Sequence, residues 1–241
     1  MSDSTDQYID WKDWRDDSFG RFDALEAQYY AEETGIAARP GARVLEIGFG
    51  NGPFIGWARS VDAEVFGVEL NSILVARARA FLGKSNAFQD LNDEMLAALA
   101  GTFSHVVAFD VIEHIHQSEL PRFFAQIRTL LAPDGRIFLR FPNGDSPFGR
   151  LHQHADPTHV TTVGGEKLRF FARQSGLTVE AIRAPKLPLT GSRLSRAFKR
   201  NLLHAGRCLV ERVVGLLYFG GRTIPLAPNY FAILTRADVE Q

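Results

Sequence analysis

The chain has 241 residues, of which 45% are hydrophobic and 23% charged, and these proportions are typical of a folded globular protein with one large domain or two small ones. Its formal net charge of −1 gives no reason to expect nucleic acid as a partner. The single cysteine, Cys208, excludes an internal disulfide and a zinc site built from several cysteines.

Three features of the sequence indicate a cytoplasmic protein. A single cysteine fits a reducing compartment. Residues 1–10 are acidic and polar, unlike the basic and apolar regions of a secretory signal. No run of eighteen apolar residues occurs, so we expect no membrane-spanning segment.

Charge is distributed unevenly between two segments. Residues 1–34 contain ten acidic and three basic residues, a net charge of −7. Residues 183–222 contain nine basic residues and one acid, Glu211, a net charge of +8. The two segments could pair with each other, and the basic one could instead bind an anionic partner.

Apolar runs typical of buried strands alternate with helical patterns through the middle of the chain. The predicted strands are 43–48, 64–69, 85–89, 103–110 and 136–141, and the predicted helices between them are 53–60, 72–82, 92–100 and 118–131. This alternation predicts a parallel sheet with helices on both faces. Ligands bind such sheets outside the carboxyl ends of the strands.

The alternation stops after residue 141. Residues 142–163 are irregular and contain three histidines, which is typical of a functional loop. A helix is predicted at 164–175 and a strand at 177–184. A long excursion then precedes a last strand at 230–235.

The sharpest feature is VLEIGFGNG at residues 44–52, where a strand delivers an acid and three alternating glycines turn the chain into a helix. Glycine lets backbone N–H groups approach a ligand closely. The dinucleotide fingerprint GxGxxG fails here, because Pro53 stands where its third glycine belongs. The Glu46 carboxylate would repel a diphosphate, and it suits a ligand that carries an ammonium or sulfonium charge.

Further acids follow the next three strands. Glu69 ends the second strand in GVEL, where a carboxylate can accept both ribose hydroxyls of a nucleoside. Asp90 follows the third strand and is placed to accept a hydrogen bond from an adenine amino group. Asp110 ends the fourth strand in FDVIEH.

Four ordered motifs, VLEIGFGNG, GVEL, FDVIEH and LLAPDGRIFLRFPN, carry a resemblance to the class I S-adenosylmethionine-dependent methyltransferases, particularly the small-molecule group that includes the ubiquinone-pathway O-methyltransferases. The resemblance covers residues 39–178 and implies S-adenosylmethionine as cofactor. It implies that the glycine turn binds the methionine portion, that Glu69 binds the ribose and Asp90 the adenine, and that Asp110 lies near the methionine. The cofactor-binding residues are then Glu46, Gly48, Phe49, Gly50, Gly52, Glu69, Leu70, Asp90, Leu91 and Asp110. The alternative is an unrelated nucleotide-binding or degenerate α/β domain.

With this resemblance, we expect a Rossmann-like fold: a seven-stranded, mostly parallel sheet with helices on both faces, an antiparallel last strand and a helical insertion before it. The expected parts are an N-terminal helical cap over 1–38, the cofactor-binding core over 39–184, a basic amphipathic helical insertion over 185–228, and the last strand with a tail over 229–241.

Methyl transfer is an in-line displacement at a carbon that the sulfonium already activates, so positioning supplies much of the rate. A hydroxyl acceptor must also lose a proton, and histidine is the side chain best matched to this task near neutral pH. The candidate catalytic residues are His114 after the fourth strand and His154 and His159 in the loop after the fifth, with Asp156 available to orient an imidazole. The segment DPTHV at 156–160 resembles one that borders the acceptor pocket in several family members.

A metal site is the weaker interpretation of the same loop. His152, His154, Asp156 and His159 together could ligate a metal. The acidic cluster of the metal-dependent catechol methyltransferases is missing, so we expect no metal.

Two motifs that are absent from the sequence restrict the class of methyl acceptor. No NPPY or DPPY follows the fourth strand, which disfavours amino methylation of DNA bases, and Cys208 lies in no catalytic motif. By elimination, we expect O-methylation of a small molecule, such as a sugar of a cell-envelope glycan or its precursor. The alternatives are methylation of a quinone or another secondary metabolite, and a non-catalytic regulatory module that binds S-adenosylmethionine.

A basic amphipathic helix is predicted within 193–219. Its apolar residues recur every three or four positions: Leu194, Phe198, Leu202, Ala205, Leu209, Val213 and Leu216. Such a helix can lie peripherally on the anionic inner face of a membrane. It can also pack on the enzyme core or on a second subunit of a homodimer.

Overall fold

A computed structural model of the chain describes residues 9–12, 14, 18–189 and 193–237, with the backbone alone at 193, 196 and 197. The other residues, which include parts of the expected cap and tail, lie outside the described range. Within that range, one seven-stranded sheet has the order β3-β2-β1-β4-β5-β7-β6. Its strands are β1 (Arg43–Ile47), β2 (Glu64–Val68), β3 (Ala87–Phe88), β4 (Phe103–Phe109), β5 (Leu131–Pro142), β6 (Leu177–Arg183) and β7 (Asn229–Arg236).

The helices connect these strands. They are α1 (Ala24–Thr34), α2 (Pro53–Ser60), α3 (Ser72–Leu82), α4 (Asp93–Ala98), α5 (Leu120–Leu130), α6 (Gly149–Ala155), α7 (Gly165–Gln174) and α8 (Arg193–Tyr218). A short 3₁₀ helix, Ile112–His114, follows β4. Strong local signals fix several starts, such as the capping box of Asp23 and Glu26 at α1 and the proline at the first position of α2.

The sheet has a hydrophobic core on each face. On β4, Val106 and Ala108 belong to the core that contains α5 and α7, whereas Val107 and Phe109 belong to the core that contains α1, α2 and α3. Successive residues of a strand point to opposite faces, so the helices cover both sides. β7 runs antiparallel to both β5 and β6. The Rossmann-like fold with an antiparallel last strand is thereby confirmed.

The centre of the sheet positions the site. β1 pairs in parallel with β2 on one side and β4 on the other. The chain runs from β1 outward to β2 and β3 and then crosses back to β4, so the strand order reverses beside β1. In open α/β sheets a crevice forms at such a reversal, outside the carboxyl ends of the strands. The residues that follow β1, β2, β4 and β5 therefore meet at one edge.

Most predicted elements agree with the structure to within two residues at each end, and the clearest differences lie in three regions. The predicted loop 142–163 contains α6, where Gly149 lies so close to Asn143 that an added Cβ would be 2.0 Å from its carbonyl oxygen. β5 begins at Leu131, because the Pro-Asp-Gly sequence predicted to end the preceding helix in a turn lies within the strand. β3 keeps only two residues of the predicted five.

The acidic and basic segments do pair across the fold. The carboxylate of Glu33 is fully buried and forms an ion pair with Arg183, and Arg200 of α8 pairs with Glu32 at 2.9 Å. Lys186 donates to the backbone carbonyl of Glu32. These contacts hold the start of the helical insertion against α1.

The far end of α8 is held by backbone contacts. Glu211 accepts a hydrogen bond from the backbone N–H of Leu226 at 2.8 Å, and the buried Gly215 lies against Arg222, whose carbonyl an added Cβ would meet at 2.4 Å. The apolar stripe points away from the protein, with Leu194 83% and Leu209 65% exposed. Among the described residues, none of the helices combines the length and the apolar composition of a membrane span.

Candidate active site

A cavity of about 1150 Å³ lies at the carboxyl ends of β1, β2, β4 and β5. The glycine turn after β1, the acids after β2 and β3, and both Asp110 and His114 after β4 line it. Trp11, Lys12 and Trp14 of the N-terminal segment line it as well. The volume exceeds what one ligand of drug size needs, so a nucleoside and a second small molecule can share it.

Two glycines of the turn occupy positions where any other residue would be strained and would collide with a neighbouring side chain. Gly48 has φ +69°, and an added Cβ would lie 2.6 Å from the Val111 side chain. Gly50 has φ +52°, and an added Cβ would lie 2.8 Å from the ring of Trp14. Gly52 takes the left-handed conformation that precedes α2. The N–H groups of the three glycines donate within the protein, to the carbonyls of Val68 and Phe49 and to the Glu69 carboxylate. The turn therefore brings its backbone close to the cavity and leaves room there for a ligand.

Glu46 is a buried acid one residue before the end of β1, and it lines the cavity. Its Oε2 is buried and has no hydrogen-bond partner among the described residues. Burial, and then the nearby charge of Glu69, raise the pKa of Glu46 well above its ordinary value. A cation placed beside this carboxyl would lower its pKa again, because an opposite charge favours the ionised form. The position therefore favours a positively charged ligand group.

Glu69 is held in place by the backbone on both sides. Its Oε2 accepts a hydrogen bond from the Gly50 N–H at 3.1 Å, and its Oε1 accepts one from the Asn71 N–H at 3.0 Å. Each carboxylate oxygen has a lone pair to spare, so both can still accept from a ligand hydroxyl. Leu70 and Leu91 line the cavity beyond it, together with Asp90, which accepts from Asn92.

Asp110 forms a forked ion pair with Arg140 of β5, which the sequence analysis did not single out. Asp110 has φ +56°, a conformation that non-glycine residues rarely adopt. The guanidinium of Arg140 lies 5.3 Å from the ring centre of Phe109 and 5.5 Å from that of Tyr29. Burial opposes the charge of Arg140, but Asp110 outweighs it and raises the pKa of Arg140 further. The sequence signal that could have identified Arg140 is its position as a basic residue inside the apolar run RIFLRFP at residues 136–142.

The backbone brings the histidine loop against the 3₁₀ helix after β4. The N–H groups of Val160 and Thr161 both donate to the Glu113 carbonyl, at 2.9 and 3.0 Å. The His114 and His159 rings consequently lie edge to face, with 4.6 Å between their centres. Both histidines line the cavity.

A hydrogen-bonded chain orients His114. Its Nδ1 lies 2.9 Å from Thr158 Oγ1, and the Thr158 hydroxyl in turn donates to Asp156. Burial opposes the charge of Asp156, but hydrogen bonds from Thr158 and from Lys12 outweigh it and lower the pKa of Asp156 to about 2. Burial and then the neighbouring His159 lower the pKa of His114. Asp156 thus occupies the orienting position that the sequence suggests.

Glu113 completes the cluster and was missed as a site residue, although it stands inside FDVIEH. It is 1% exposed, and neither carboxylate oxygen has a hydrogen-bond partner among the described residues. Burial, and then the charge of Asp110, raise the pKa of Glu113 to about 8. Its Oε1 lies 3.9 Å from His159 Nε2.

The other loop histidines lie elsewhere. His154 is exposed on α6 and does not line the cavity, whereas His152 lies at the cavity wall. The metal set considered from the sequence is therefore not gathered around one point. Among the described residues, the group that could hold a metal ion is Glu113, His114 and His159, with one ligand atom from each within 4.8 Å of the others.

This fold and glycine turn, with Glu46 near the end of β1 and Glu69 directly after the adjacent β2, define an S-adenosylmethionine-dependent methyltransferase. A family profile described as "Methyltransferase domain" matches residues 23–182, which is more than half of the chain. The protein therefore belongs to this family, within the class I S-adenosylmethionine-dependent methyltransferases, and S-adenosylmethionine is its cofactor. No curated protein sequence matches it significantly.

Solved structures share the fold at low sequence identity. An S-adenosylmethionine-dependent methyltransferase from Archaeoglobus fulgidus is 19% identical with a TM-score of 0.60, over 88% of this chain and 95% of that one. A TehB-like methyltransferase from Corynebacterium glutamicum is 17% identical with a TM-score of 0.59, over 98% and 100%. The 1,6-didemethyltoxoflavin-N1-methyltransferase of Burkholderia thailandensis, with its acceptor and S-adenosylhomocysteine bound, is 16% identical with a TM-score of 0.58, over 98% and 87%.

Proposed function

We propose that the protein transfers the methyl group of S-adenosylmethionine to a hydroxyl oxygen of a small molecule. The observation that carries this proposal is that one cavity joins the glycine turn and its acids to the paired rings of His114 and His159. The half of the cavity at the glycine turn, the cofactor half, suits S-adenosylmethionine. The half at the two histidines, the acceptor half, suits a hydroxyl that must lose its proton.

The cofactor portions are assigned along the cavity wall. The ammonium of the methionine portion lies at Glu46 and the glycine turn, because the buried carboxyl there favours a positive partner. The ribose hydroxyls lie at the fixed carboxylate of Glu69. The adenine lies at Asp90, Leu70 and Leu91, and Asp110 borders the methionine end.

The acceptor lies between the sulfonium and the histidines. Its oxygen attacks the methyl carbon in line with the departing sulfur, so that S-adenosylhomocysteine and a methyl ether form. The hydroxyl proton is lost at the cluster of His114 and His159. The polar wall formed by Lys12, Asp156 and Thr158, with Trp11 beside it, suits a molecule with several hydroxyls, and we propose a sugar of a cell-envelope glycan or its precursor.

A screen with methyl-labelled S-adenosylmethionine tests the function. Nucleotide sugars and lipid-linked saccharides are expected to take up label in an ether linkage, identified by mass spectrometry of the product. Label on a quinone would keep the O-methylation and change the acceptor class. Label on nitrogen alone would overturn O-methylation, and the absence of any acceptor despite cofactor binding would favour a regulatory module.

For the helical insertion, we propose peripheral contact with the anionic inner face of the membrane, by a protein located in the cytoplasm. Contacts with the rest of the protein leave the apolar stripe of α8 outermost. Lys199, Arg207 and Arg212 are exposed on the same helix. Its one acid, Glu211, is engaged with Leu226, so a second copy of α8 offers these bases no acidic partner.

Flotation with phosphatidylglycerol vesicles tests the membrane contact. Neutralising Lys199, Arg207 and Arg212 to Gln is expected to weaken binding by about 3 kcal/mol, roughly 100-fold, since each base near such a surface contributes about 1 kcal/mol. Neutralising three exposed bases elsewhere, Arg39, Lys84 and Arg173, is the matched control and should leave flotation unchanged. Equal loss in both triple variants would contradict the proposal, as would a dimer that Leu209→Asp dissociates without any vesicle binding.

A further inference from the structure

Glu113, His114 and His159 bring three electron-pair donors to one point of the cavity wall. One ligand atom of each residue lies within 4.8 Å of the other two, and His159 Nε2 lies 3.9 Å from Glu113 Oε1. Zinc–ligand distances of about 2.0–2.2 Å place tetrahedral ligands roughly 3.3–3.5 Å apart. Binding an ion would therefore require a closure of less than about 1 Å between these two atoms and of at most about 1.5 Å between either of them and His114.

The hydrogen bonds of the two histidines determine which ring nitrogen is bare. His159 Nδ1 faces the carbonyl oxygen of Gln153 at 3.1 Å, and a carbonyl only accepts, so the proton is on Nδ1. The single proton of the Thr158 hydroxyl is donated to Asp156, so Thr158 accepts from His114 Nδ1–H. In the neutral rings, Nε2 of both histidines is left with a free lone pair.

This arrangement is the one that metal-ligating histidines share. Such a histidine almost always donates its other ring N–H to a backbone carbonyl, a carboxylate or water, which fixes the ring for the metal. Here a carbonyl fixes His159, and a hydroxyl backed by Asp156 fixes His114. The third ligand, Glu113, is buried with both oxygens lacking a hydrogen-bond partner among the described residues, although it borders the cavity. Ionising a buried carboxyl is costly, and a cation bound beside it would stabilise its ionised form.

We propose that Glu113, His114 and His159 bind a divalent transition-metal ion such as Zn²⁺ in the acceptor half of the cavity. Two imidazoles and one carboxylate on one side of an ion leave its other positions open, as in catalytic metal sites. From the sequence we expect no metal, but the ligand set considered there was His152, His154, Asp156 and His159 and did not include Glu113 or His114.

The site deepens the proposed function and rests on it for its role. An acceptor hydroxyl that occupies an open position of the ion becomes more acidic, so its proton passes to solvent before the oxygen attacks the methyl carbon. The S–CH₃ bond breaks as the O–CH₃ bond forms, and no other reactant is needed. The two histidines then serve the hydroxyl as ligands of the ion.

Zinc titration of the metal-free, untagged protein by calorimetry tests the site. One Zn²⁺ is expected per chain. Glu113→Gln and His159→Ala each remove a ligand, so each should weaken binding by more than the roughly 10–100-fold that loss of an outer hydrogen bond costs. Thr158→Val removes only the hydroxyl that orients His114, and it should weaken binding within that range of roughly 10–100-fold.

His152→Ala is the control, since His152 lies at the same cavity wall but outside the cluster. It should keep full zinc affinity, and S-adenosylmethionine binding by each variant shows that it is folded. Absence of zinc binding, or equal affinity in all variants, would overturn the metal site while methyl transfer could still be measured. Zinc binding by a protein that methylates none of the screened acceptors would instead refute the proposed function and leave the site standing.

Discussion

The Glu69→Ala variant is expected to bind S-adenosylmethionine about 100-fold or more weakly than the unsubstituted protein. Two hydrogen bonds from ribose hydroxyls to a carboxylate are lost, and hydrogen bonds to charged groups contribute about 1.5–3 kcal/mol each. The backbone N–H groups of Gly50 and Asn71 hold this carboxylate in place, so little side-chain entropy is lost on binding. Isothermal titration calorimetry measures the change directly.

Glu64→Ala provides the matched control for this experiment. Glu64 begins the strand that leads to Glu69, and its carboxylate makes an exposed ion pair with Arg43 at 2.8 Å, far from the cavity wall. Exposed pairs of this kind contribute about 0–1 kcal/mol to stability, so cofactor affinity should be unchanged. If Glu69→Ala bound the cofactor as tightly as Glu64→Ala, the assignment of the ribose to Glu69 would be wrong.

The second large effect is expected from His114→Ala, which should slow methyl transfer by a factor of about 10²–10⁴, the usual contribution of a proton-transfer group. The Nε2 lone pair of His114 either accepts the hydroxyl proton or binds the metal ion, and the substitution removes that lone pair in both cases. The affinity for S-adenosylmethionine should stay within about twofold of that of the unsubstituted protein, because His114 lies in the proposed acceptor half of the cavity and not beside Glu46, Glu69 or Asp90. Formation of S-adenosylhomocysteine with an acceptor from the screen gives the rate.

Two other histidines make this experiment specific. His116 follows His114 by two residues but is exposed and lies outside the cavity lining, so His116→Ala should keep the full rate. His154→Ala tests a residue that the sequence predicts as catalytic and the structure places on the exposed side of α6. A large loss of rate in His154→Ala with none in His114→Ala would reverse the assignment.

The sequence predicts which residues line the proposed cofactor half of the cavity, because these residues lie at or next to the ends of strands. Glu69 and Asp110 directly follow apolar runs, Glu46 lies one residue before the end of its run, and the carboxyl ends of parallel strands meet at one edge. The glycine spacing carries equally local information, since a left-handed turn needs glycine wherever the chain bends. Short-range patterns were sufficient for these residues.

The acceptor half depends on contacts between distant positions. Arg140 meets Asp110 across 30 residues, Thr158 meets His114 across 44, and Lys12 meets Asp156 across 144. No local pattern encodes such a pairing. The choice between His154 and His159 was equally inaccessible, because it depends on α6, a helix of seven residues whose placement against β5 comes from tertiary packing.

The position of β7 affects how the chain reaches this fold. β7 lies between β5 and β6, so residues 229–236 complete the middle of one half of the sheet. Until they are in place, β5 and β6 each present an unpaired edge, which is prone to association with other chains. During synthesis this half of the sheet consequently cannot close before residues 229–236 have left the ribosome.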